Sequence, residues 1–166
     1  MNYMHIDSAS VSNGTGVRVV LWVSGCSLKC NGCQNPESWN PTAGKIFDNE
    51  SMNVLIGHLN HPWIKGLTIS GGHPLEAYNI DGVKMIIDDI RSRLPEKDIW
   101  LYTGLNISYN DIVNDKEVLS RCDVIVDGKY DESLKDLTLA FRGSKNQKII
   151  DVKTSLINGR IEYLFC

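Results

Sequence analysis

Three cysteines that directly follow an apolar run constrain this chain more than any other feature of its sequence. The run, Val17–Val23, is rich in β-branched and aromatic residues and ends at a Ser-Gly pair. An apolar run of this length that ends in a turn signal predicts a buried β-strand. Cys26, Cys30 and Cys33 come next, with the spacing C-x3-C-x2-C. We therefore expect the three thiols on the loop after the strand's C-terminal end, where α/β sheets build their sites.

These three cysteines can bind a metal centre, but they cannot supply all four of its ligands. Structural zinc takes four protein ligands, and a 4Fe-4S cluster usually takes four cysteines. An iron–sulfur cluster with three protein ligands leaves one iron open, and that iron can bind a substrate. The remaining cysteines, Cys122 and Cys166, stand far along the chain. We expect Cys122 in the core, because it comes just before a predicted strand, and we assign Cys166 no role.

A zinc site is the alternative for the same cysteines. Zinc ribbons use two C-x2-C pairs, and this chain has only one. His58 or His61, near the end of a predicted helix, would supply the missing fourth ligand. We expect both instead as solvent-exposed imidazoles near the helix C-terminus. Colour after anaerobic purification separates the two cases, because an iron–sulfur protein is brown and a zinc protein is colourless.

Length and composition are those of an ordinary globular chain. With 166 residues, 42% hydrophobic and 22% charged, the sequence predicts a single domain over residues 1–166. The net charge of −3 argues against a broad basic surface for nucleic acid. No apolar stretch approaches the roughly 18 residues of a membrane span, and the N-terminal segment lacks the basic start and apolar centre of a signal peptide. Clustered cysteines fit a reducing compartment, so we expect a cytoplasmic protein.

Strand and helix patterns alternate along the chain. Buried strands are predicted at 17–23, 66–70, 98–103 and 123–126. Amphipathic helices are predicted between them, at 48–59, 80–94 and, with a less regular pattern, 106–119. Further strand patterns stand near the two ends, at 2–10, 148–153 and 160–165. This alternation is typical of an α/β fold with a mostly parallel sheet.

Candidate binding residues follow the later strands as the cysteines follow the first. Gly71, Gly72 and His73 come directly after the second buried strand. Two adjacent glycines let the backbone approach a ligand closely and expose its polar groups. An ordinary strand-to-helix turn would also explain the glycine pair. Because the ends of parallel strands meet at one edge of a sheet, the residues after the next two strands join the same candidate site: Thr103, Asp127 and Lys129.

The cysteine motif resembles the signature of the radical S-adenosylmethionine superfamily. The flanking stretches 13–18 (NGTGVR) and 33–35 (CQN) are similar to its glycyl-radical-activating branch. Four later stretches also resemble that branch: 70–74 (SGGHP), 98–104 (DIWLYTG), 126–130 (VDGKY) and 142–147 (RGSKNQ). The resemblance covers nearly the whole chain. Two positions depart from the pattern, because Thr15 stands where proline is usual and His73 where an acidic residue is usual.

The resemblance implies a fold, two cofactors and a set of ligands. The implied fold is an incomplete (β/α) barrel, and the chain is too short for the closed eight-fold form of about 250 residues. The implied cofactors are a 4Fe-4S cluster, bound by Cys26, Cys30 and Cys33, and S-adenosylmethionine. The implied cofactor-binding residues are Gly32, Cys33, Gln34, Gly71, Gly72, His73, Thr103, Asp127 and Lys129. No side chain is expected to act as a catalytic acid or base, because the cofactors carry the chemistry.

The resemblance also implies a reaction and partners. The reduced cluster cleaves S-adenosylmethionine, and the resulting 5′-deoxyadenosyl radical takes a hydrogen atom from a glycine of a protein substrate. The implied substrate is the large subunit of an anaerobic ribonucleoside-triphosphate reductase, with a flavodoxin-type protein as electron donor. One alternative is a radical S-adenosylmethionine enzyme acting on a small molecule, such as a deazaguanine-forming synthase. The other is a zinc-binding interaction module.

Overall fold

The computed structural model describes residues 1–164 and contains one mixed β-sheet with helices on one side. In that part of the chain the strands are β1 (Asn2–Ser10), β2 (Val17–Val23), β3 (Lys45–Ile46), β4 (Ile64–Gly71), β5 (Asp98–Tyr102), β6 (Val124–Asp127) and β7 (Lys148–Asp151). The α-helices are α1 (Asn49–Leu59), α2 (Ile80–Arg93), α3 (Tyr109–Asn114) and α4 (Val152–Asn158). Cys166, to which no role was assigned, lies outside the described residues. Within them, no helix combines the length and the apolar character that crossing a membrane requires.

The centre of the sheet is parallel and its margins are antiparallel. The strand order is β3-β1-β2-β4-β5-β6-β7. β2, β4, β5 and β6 are parallel neighbours in chain order, and each step between them includes one α-helix. β1 and β7 pair antiparallel at the two sides of this group, and β3 pairs antiparallel with β1. The predicted α/β class with a mostly parallel sheet is confirmed, and the sheet is open rather than closed into a barrel.

All four helices pack on the same face of the sheet. The main hydrophobic cluster contains alternate residues of the parallel strands, such as Val19 and Leu21 of β2, which are fully buried. It also contains a buried residue from each helix: Met52, Val83, Ile112 and Val152. Burying one such aliphatic side chain contributes about 1.5–3 kcal/mol. The opposite face has a smaller cluster, which consists of Trp100, Val124, Val126 and Ile149.

A buried ion pair closes this second face at the N-terminal ends of the strands. Arg18 of β2 is fully buried, and its Nη1 lies 2.6 Å from the Oδ1 of Asp98 at the start of β5. The guanidinium also donates to Thr68 Oγ1 at 2.8 Å and lies over the ring of Trp100. Burial lowers the pKa of Arg18 and raises the pKa of Asp98, and the mutual attraction of the two charges opposes both shifts. The contact satisfies two charges that the interior would otherwise disfavour.

The predicted helix starts and ends agree with the structure where local capping decides them. Asp48 accepts a hydrogen bond from the Ser51 N–H at 2.9 Å, so α1 begins where the sequence predicts. α3 is shorter than the predicted 106–119, because Ser108 caps it at the start and the chain leaves the helical conformation at Asp115. The loop before α3 is instead held by hydrogen bonds to strand ends.

The C-terminal part of the chain differs most from the prediction. The strand predicted at 148–153 ends at Asp151, whose carboxylate accepts a hydrogen bond from Thr154 N–H and starts α4. The strand predicted at 160–165 is wrong for its described part. That part forms only an isolated bridge, between Ile150 and Tyr163. The predicted strand at 2–10 is confirmed as β1.

Candidate functional site

The C-terminal ends of the four parallel strands meet at one cleft. The cleft receives residues from the loops after β2, β4, β5 and β6. Its lining includes the following predicted site residues: Cys26, Cys30, Cys33, Gln34, Gly71, Gly72, His73 and Thr103. The arrangement agrees with the rule that ligands bind beyond the carboxyl ends of parallel strands.

Three predicted site residues do not line this cleft. The carboxylate of Asp127 accepts a hydrogen bond from the Ile107 N–H at 2.9 Å and so holds the loop before α3. Burial raises the pKa of Asp127, although backbone N–H groups oppose that shift. Lys129 is exposed and lines a neighbouring polar pocket. Gly32 has a positive φ of 70° and lies against the carboxylate of Glu132. Their proposed contacts with a cofactor stay predictions.

The cysteine loop is held from its first residue by backbone hydrogen bonds. Gly25 N–H donates to Ser38 O at 2.6 Å, and Cys26 N–H donates to Trp39 O at 3.1 Å. Both acceptors belong to a short 3₁₀ turn, Pro36–Trp39. The loop therefore leaves β2 in a fixed direction, with its three cysteines on one stretch of chain beside the cleft.

The three thiols have the setting that an iron–sulfur cluster needs. All three are half-buried, and all line the same cleft. Burial raises the pKa of Cys26, backbone N–H groups of Leu28 and Lys29 lower it, and the nearby Cys30 and Cys33 raise it again. A bound cation reverses this mutual repulsion, because thiolates bind metals in their deprotonated form. The donor set and its surroundings thus fit an iron–sulfur cluster.

A one-ion site of the zinc type is not assembled here. Among residues 1–164, no three His, Cys, Asp or Glu side chains lie together in a way that could hold a single metal ion. A four-iron cluster binds each thiolate through a different iron, so it does not need that arrangement. His58 is half-buried in the last turn of α1, and the exposed His61 stacks on Trp63 with ring centroids 4.5 Å apart. Neither imidazole lines the cleft.

The Gly71-Gly72 turn brings the end of β4 against the cysteine loop. Gly72 N–H donates to Val23 O at 2.7 Å, and His73 N–H donates to Gly25 O at 2.8 Å. A Cβ on Gly72 would lie 2.5 Å from Gly25 O, and Gly71 has a φ of +101°. Side chains at either position would therefore push the two loops apart. Packing against the cysteine loop thus explains the glycine pair. The approach of this turn to a cofactor stays a prediction.

His73 connects the ends of β4 and β5. Its Nε2 lies 2.9 Å from Thr103 Oγ1, which also accepts a hydrogen bond from the Leu105 N–H. With the imidazole proton on Nδ1, which lies 3.6 Å from Glu76 Oε1, the Thr103 O–H donates to Nε2. Burial lowers the pKa of His73, and the carboxylate of Glu76 opposes that shift. The side chain is 5% exposed, so its contacts are mainly with the protein itself.

Glu76 and Asn79 are positioning residues that the sequence reasoning missed. Glu76 Oε1 accepts a hydrogen bond from the Ser27 N–H at 2.7 Å and a second from the Ser27 hydroxyl. Asn79 Nδ2 donates to Ser24 O at 2.8 Å and to His73 O at 3.1 Å. Both side chains thus fix the segment before α2 onto the segment that leads into the cysteine loop. Their one signal in the sequence was their position, three and six residues after His73.

The charge of Glu76 is maintained by these contacts. Burial alone would raise the pKa of Glu76, but the Ser27 hydrogen bonds and the neighbouring His73 outweigh it and leave the pKa below its ordinary value. The Glu76 side chain is 16% exposed. The carboxylate is therefore ionised, and it contacts Ser27, the residue directly after Cys26.

Other missed cleft residues belong to stretches that the family resemblance had already marked. Gln147 Oε1 accepts a hydrogen bond from Gly143 N–H at 3.0 Å, and its Nε2 donates to Gly128 O at 3.1 Å. These bonds tie the 142–147 stretch to the end of β6. Tyr102 donates to Phe141 O at 2.7 Å, and burial raises the pKa of Tyr102. Hydrogen bonds thus fix the part of the cleft that is formed by the ends of β5 and β6 and by the 142–147 stretch.

The fold and the site together define a class: an open α/β sheet that presents an iron–sulfur centre at the ends of its parallel strands. The model of the family described as "4Fe-4S single cluster domain" matches residues 12–150. The 4Fe-4S cluster that the sequence resemblance implied is thereby confirmed as a property of the family.

The more specific family follows from curated relatives. The chain is 42% identical over 149 residues to the anaerobic ribonucleoside-triphosphate reductase-activating protein of Enterobacteria phage T4, covering 90% of this chain and 93% of the relative. Proteins of the same name from Haemophilus influenzae and Escherichia coli (strain K12) are 38% and 36% identical over 151 residues, covering 90% of this chain and 97% of each relative. The chain belongs to the family of anaerobic ribonucleoside-triphosphate reductase-activating proteins. The resemblance predicted from the sequence is confirmed.

Proposed function

We propose that this chain is a radical S-adenosylmethionine enzyme that installs a glycyl radical on the large subunit of an anaerobic ribonucleoside-triphosphate reductase. The observation that carries the proposal is the cleft in which three half-buried thiols face the ends of neighbouring parallel strands. The names of the relatives support the choice of the reductase as partner.

The cysteines are the proposed cluster ligands. Cys26, Cys30 and Cys33 would hold three irons of a 4Fe-4S cluster and leave the fourth iron open for S-adenosylmethionine. When bound, these cofactors supply a strongly reducing electron and the radical that abstracts hydrogen from a glycine. The turn at Gly71 and Gly72, together with His73 and Thr103, lines the same cleft as the thiols and would border S-adenosylmethionine.

The chain's own contribution is position and shielding. The hydrogen bonds of Glu76, Asn79 and Gln147 hold the cleft walls in place. An incomplete barrel of the radical S-adenosylmethionine type remains the proposed comparison for the fold, and its open side suits a substrate that reaches in as a loop. We further propose a single domain over residues 1–166, a cytoplasmic location and a flavodoxin-type electron donor.

Electron paramagnetic resonance tests the proposal directly. Anaerobically reconstituted protein, S-adenosylmethionine, a reductant and the reductase are expected to give a glycyl-radical signal. A reductase whose radical glycine is changed to alanine provides the control, and it should bind the activating protein without giving the signal. Turnover of a free small molecule, with no radical on the reductase, would contradict the proposal and favour a small-molecule enzyme.

A further inference from the structure

Glu76 places a negative charge against the loop that carries the cysteines. Its Oε1 accepts both donors of Ser27, the N–H at 2.7 Å and the hydroxyl. Ser27 is the residue directly after Cys26. The carboxylate comes from the segment before α2, which hydrogen bonds also connect to Ser24 and Gly25. Hydrogen bonds to residues before and after Cys26 therefore fix the position of the carboxylate relative to the cysteine loop.

The Ser27 N–H donates to Glu76, whereas the backbone N–H groups that act on the Cys26 thiol are those of Leu28 and Lys29. The potential of an iron–sulfur cluster depends on the net charge around it, on hydrogen bonds to its sulfurs and on exposure to solvent. An N–H group that donates to Glu76 is not donated to a thiolate. A nearby carboxylate also disfavours the added electron of the reduced state. Both effects make the midpoint potential of the cluster more negative.

The loop carries a second carboxylate contact of a different kind. Glu132 Oε2 accepts a hydrogen bond from the side chain of Asn31 at 2.9 Å. Glu132 is exposed, and its partner is a side-chain amide rather than a backbone N–H. Water and salt screen an exposed charge far more than a half-buried one. Glu132 thus provides a matched comparison, because its carboxylate contacts the same loop.

We propose that Glu76 is a positioning residue that keeps the potential of the cluster low, through its charge and by engaging the donors of Ser27. The inference rests on the proposed ligation of the cluster by Cys26, Cys30 and Cys33. It does not require S-adenosylmethionine or the reductase. Its failure is therefore distinguishable from failure of the proposed activity.

The test is the midpoint potential of the reconstituted cluster in E76Q, measured by anaerobic titration without S-adenosylmethionine. Glutamine keeps an oxygen acceptor for Ser27 and removes the charge, so the potential should shift to a less negative value at unchanged iron content. E132Q should shift it by a smaller amount or not at all. An unchanged potential in E76Q, or equal shifts in the two variants, would overturn the proposal.

E76Q protein that does not fold or does not take up iron would assign Glu76 a purely structural role and overturn the proposal. A second variant separates the charge of Glu76 from its hydrogen bonds. Ser27→Ala removes one hydrogen bond from the carboxylate and leaves its charge in place. The potential of S27A should therefore be no higher than that of the unchanged protein. A rise in S27A would contradict a role for the charge.

Discussion

At the scale of single residues, the four cysteines that the structure describes have two kinds of environment and different chemistry. Cys26, Cys30 and Cys33 are half-buried beside a cleft, whereas Cys122 is 4% exposed and lies in the hydrophobic core. Burial raises the pKa of Cys122 to about 12, and its thiol donates to Val118 O. Such a thiol stays protonated at neutral pH, and a protonated thiol is a poor metal ligand. The expected core position of Cys122 is confirmed.

Substitutions distinguish the three cysteines of the loop from Cys122. Changing Cys26, Cys30 or Cys33 to serine should remove most of the bound iron and abolish cleavage of S-adenosylmethionine, because each supplies one of three ligands. Cys122→Ala should leave iron content and cleavage unchanged and cost about 1 kcal/mol in the free energy of unfolding. Iron analysis and denaturant unfolding measure both effects. Loss of iron in a folded C122A protein would contradict the three-ligand assignment.

At the scale of elements, the turn after β4 is where packing and binding meet. Gly72→Ala would place a methyl group 2.5 Å from Gly25 O, so we expect weaker iron uptake as well as weaker binding of S-adenosylmethionine. The matched control is Gly57→Ala on the exposed side of α1, where a Cβ meets nothing within 4 Å. That change should stabilise the protein by about 1 kcal/mol, because alanine favours a helix over glycine. Iron content, cofactor affinity and unfolding should be measured on both variants. Normal iron uptake in G72A would show that the two loops can separate without cost.

Elements defined by local signals were predictable, and elements defined by distant contacts were not. The strand Val17–Val23 and the cap at Asp48 were predicted because apolar runs and side-chain caps act over a few residues. The start of α4 was missed, because the pattern of 148–153 continues unchanged through the cap at Asp151. The cysteine spacing is equally local, and it located the centre of the site. Glu76 was out of reach, since its partner Ser27 is 49 residues away in the chain.

At the scale of the whole molecule, the site and the core are separate. The main hydrophobic cluster is made of strand and helix residues, and the cysteine loop contributes none of its members. The loop depends instead on hydrogen bonds to its neighbours, such as the bond that Glu76 accepts from Ser27 and the bond that Asn79 donates to Ser24. Binding of a metal centre stabilises the parts that form its site. The loop and the sheet should therefore respond differently to cluster removal.

Hydrogen exchange with and without the cluster tests this separation. Chelation of iron should increase exchange in residues 24–40 and 72–79, and leave β2, β4 and β5 protected, because their hydrogen bonds lie in the core. The far-UV circular dichroism should change little. Exchange that increased across all the strands would show instead that the cluster is part of the global folding unit.

The ion pair of Arg18 and Asp98 has a consequence for how sequences of this family can diverge. Replacing Asp98 alone leaves the fully buried charge of Arg18 without its partner, and such a step is strongly destabilising. Replacing both with apolar residues of similar volume is often neutral. We therefore expect residues 18 and 98 to change together in related sequences, and an alignment of relatives would measure that covariation.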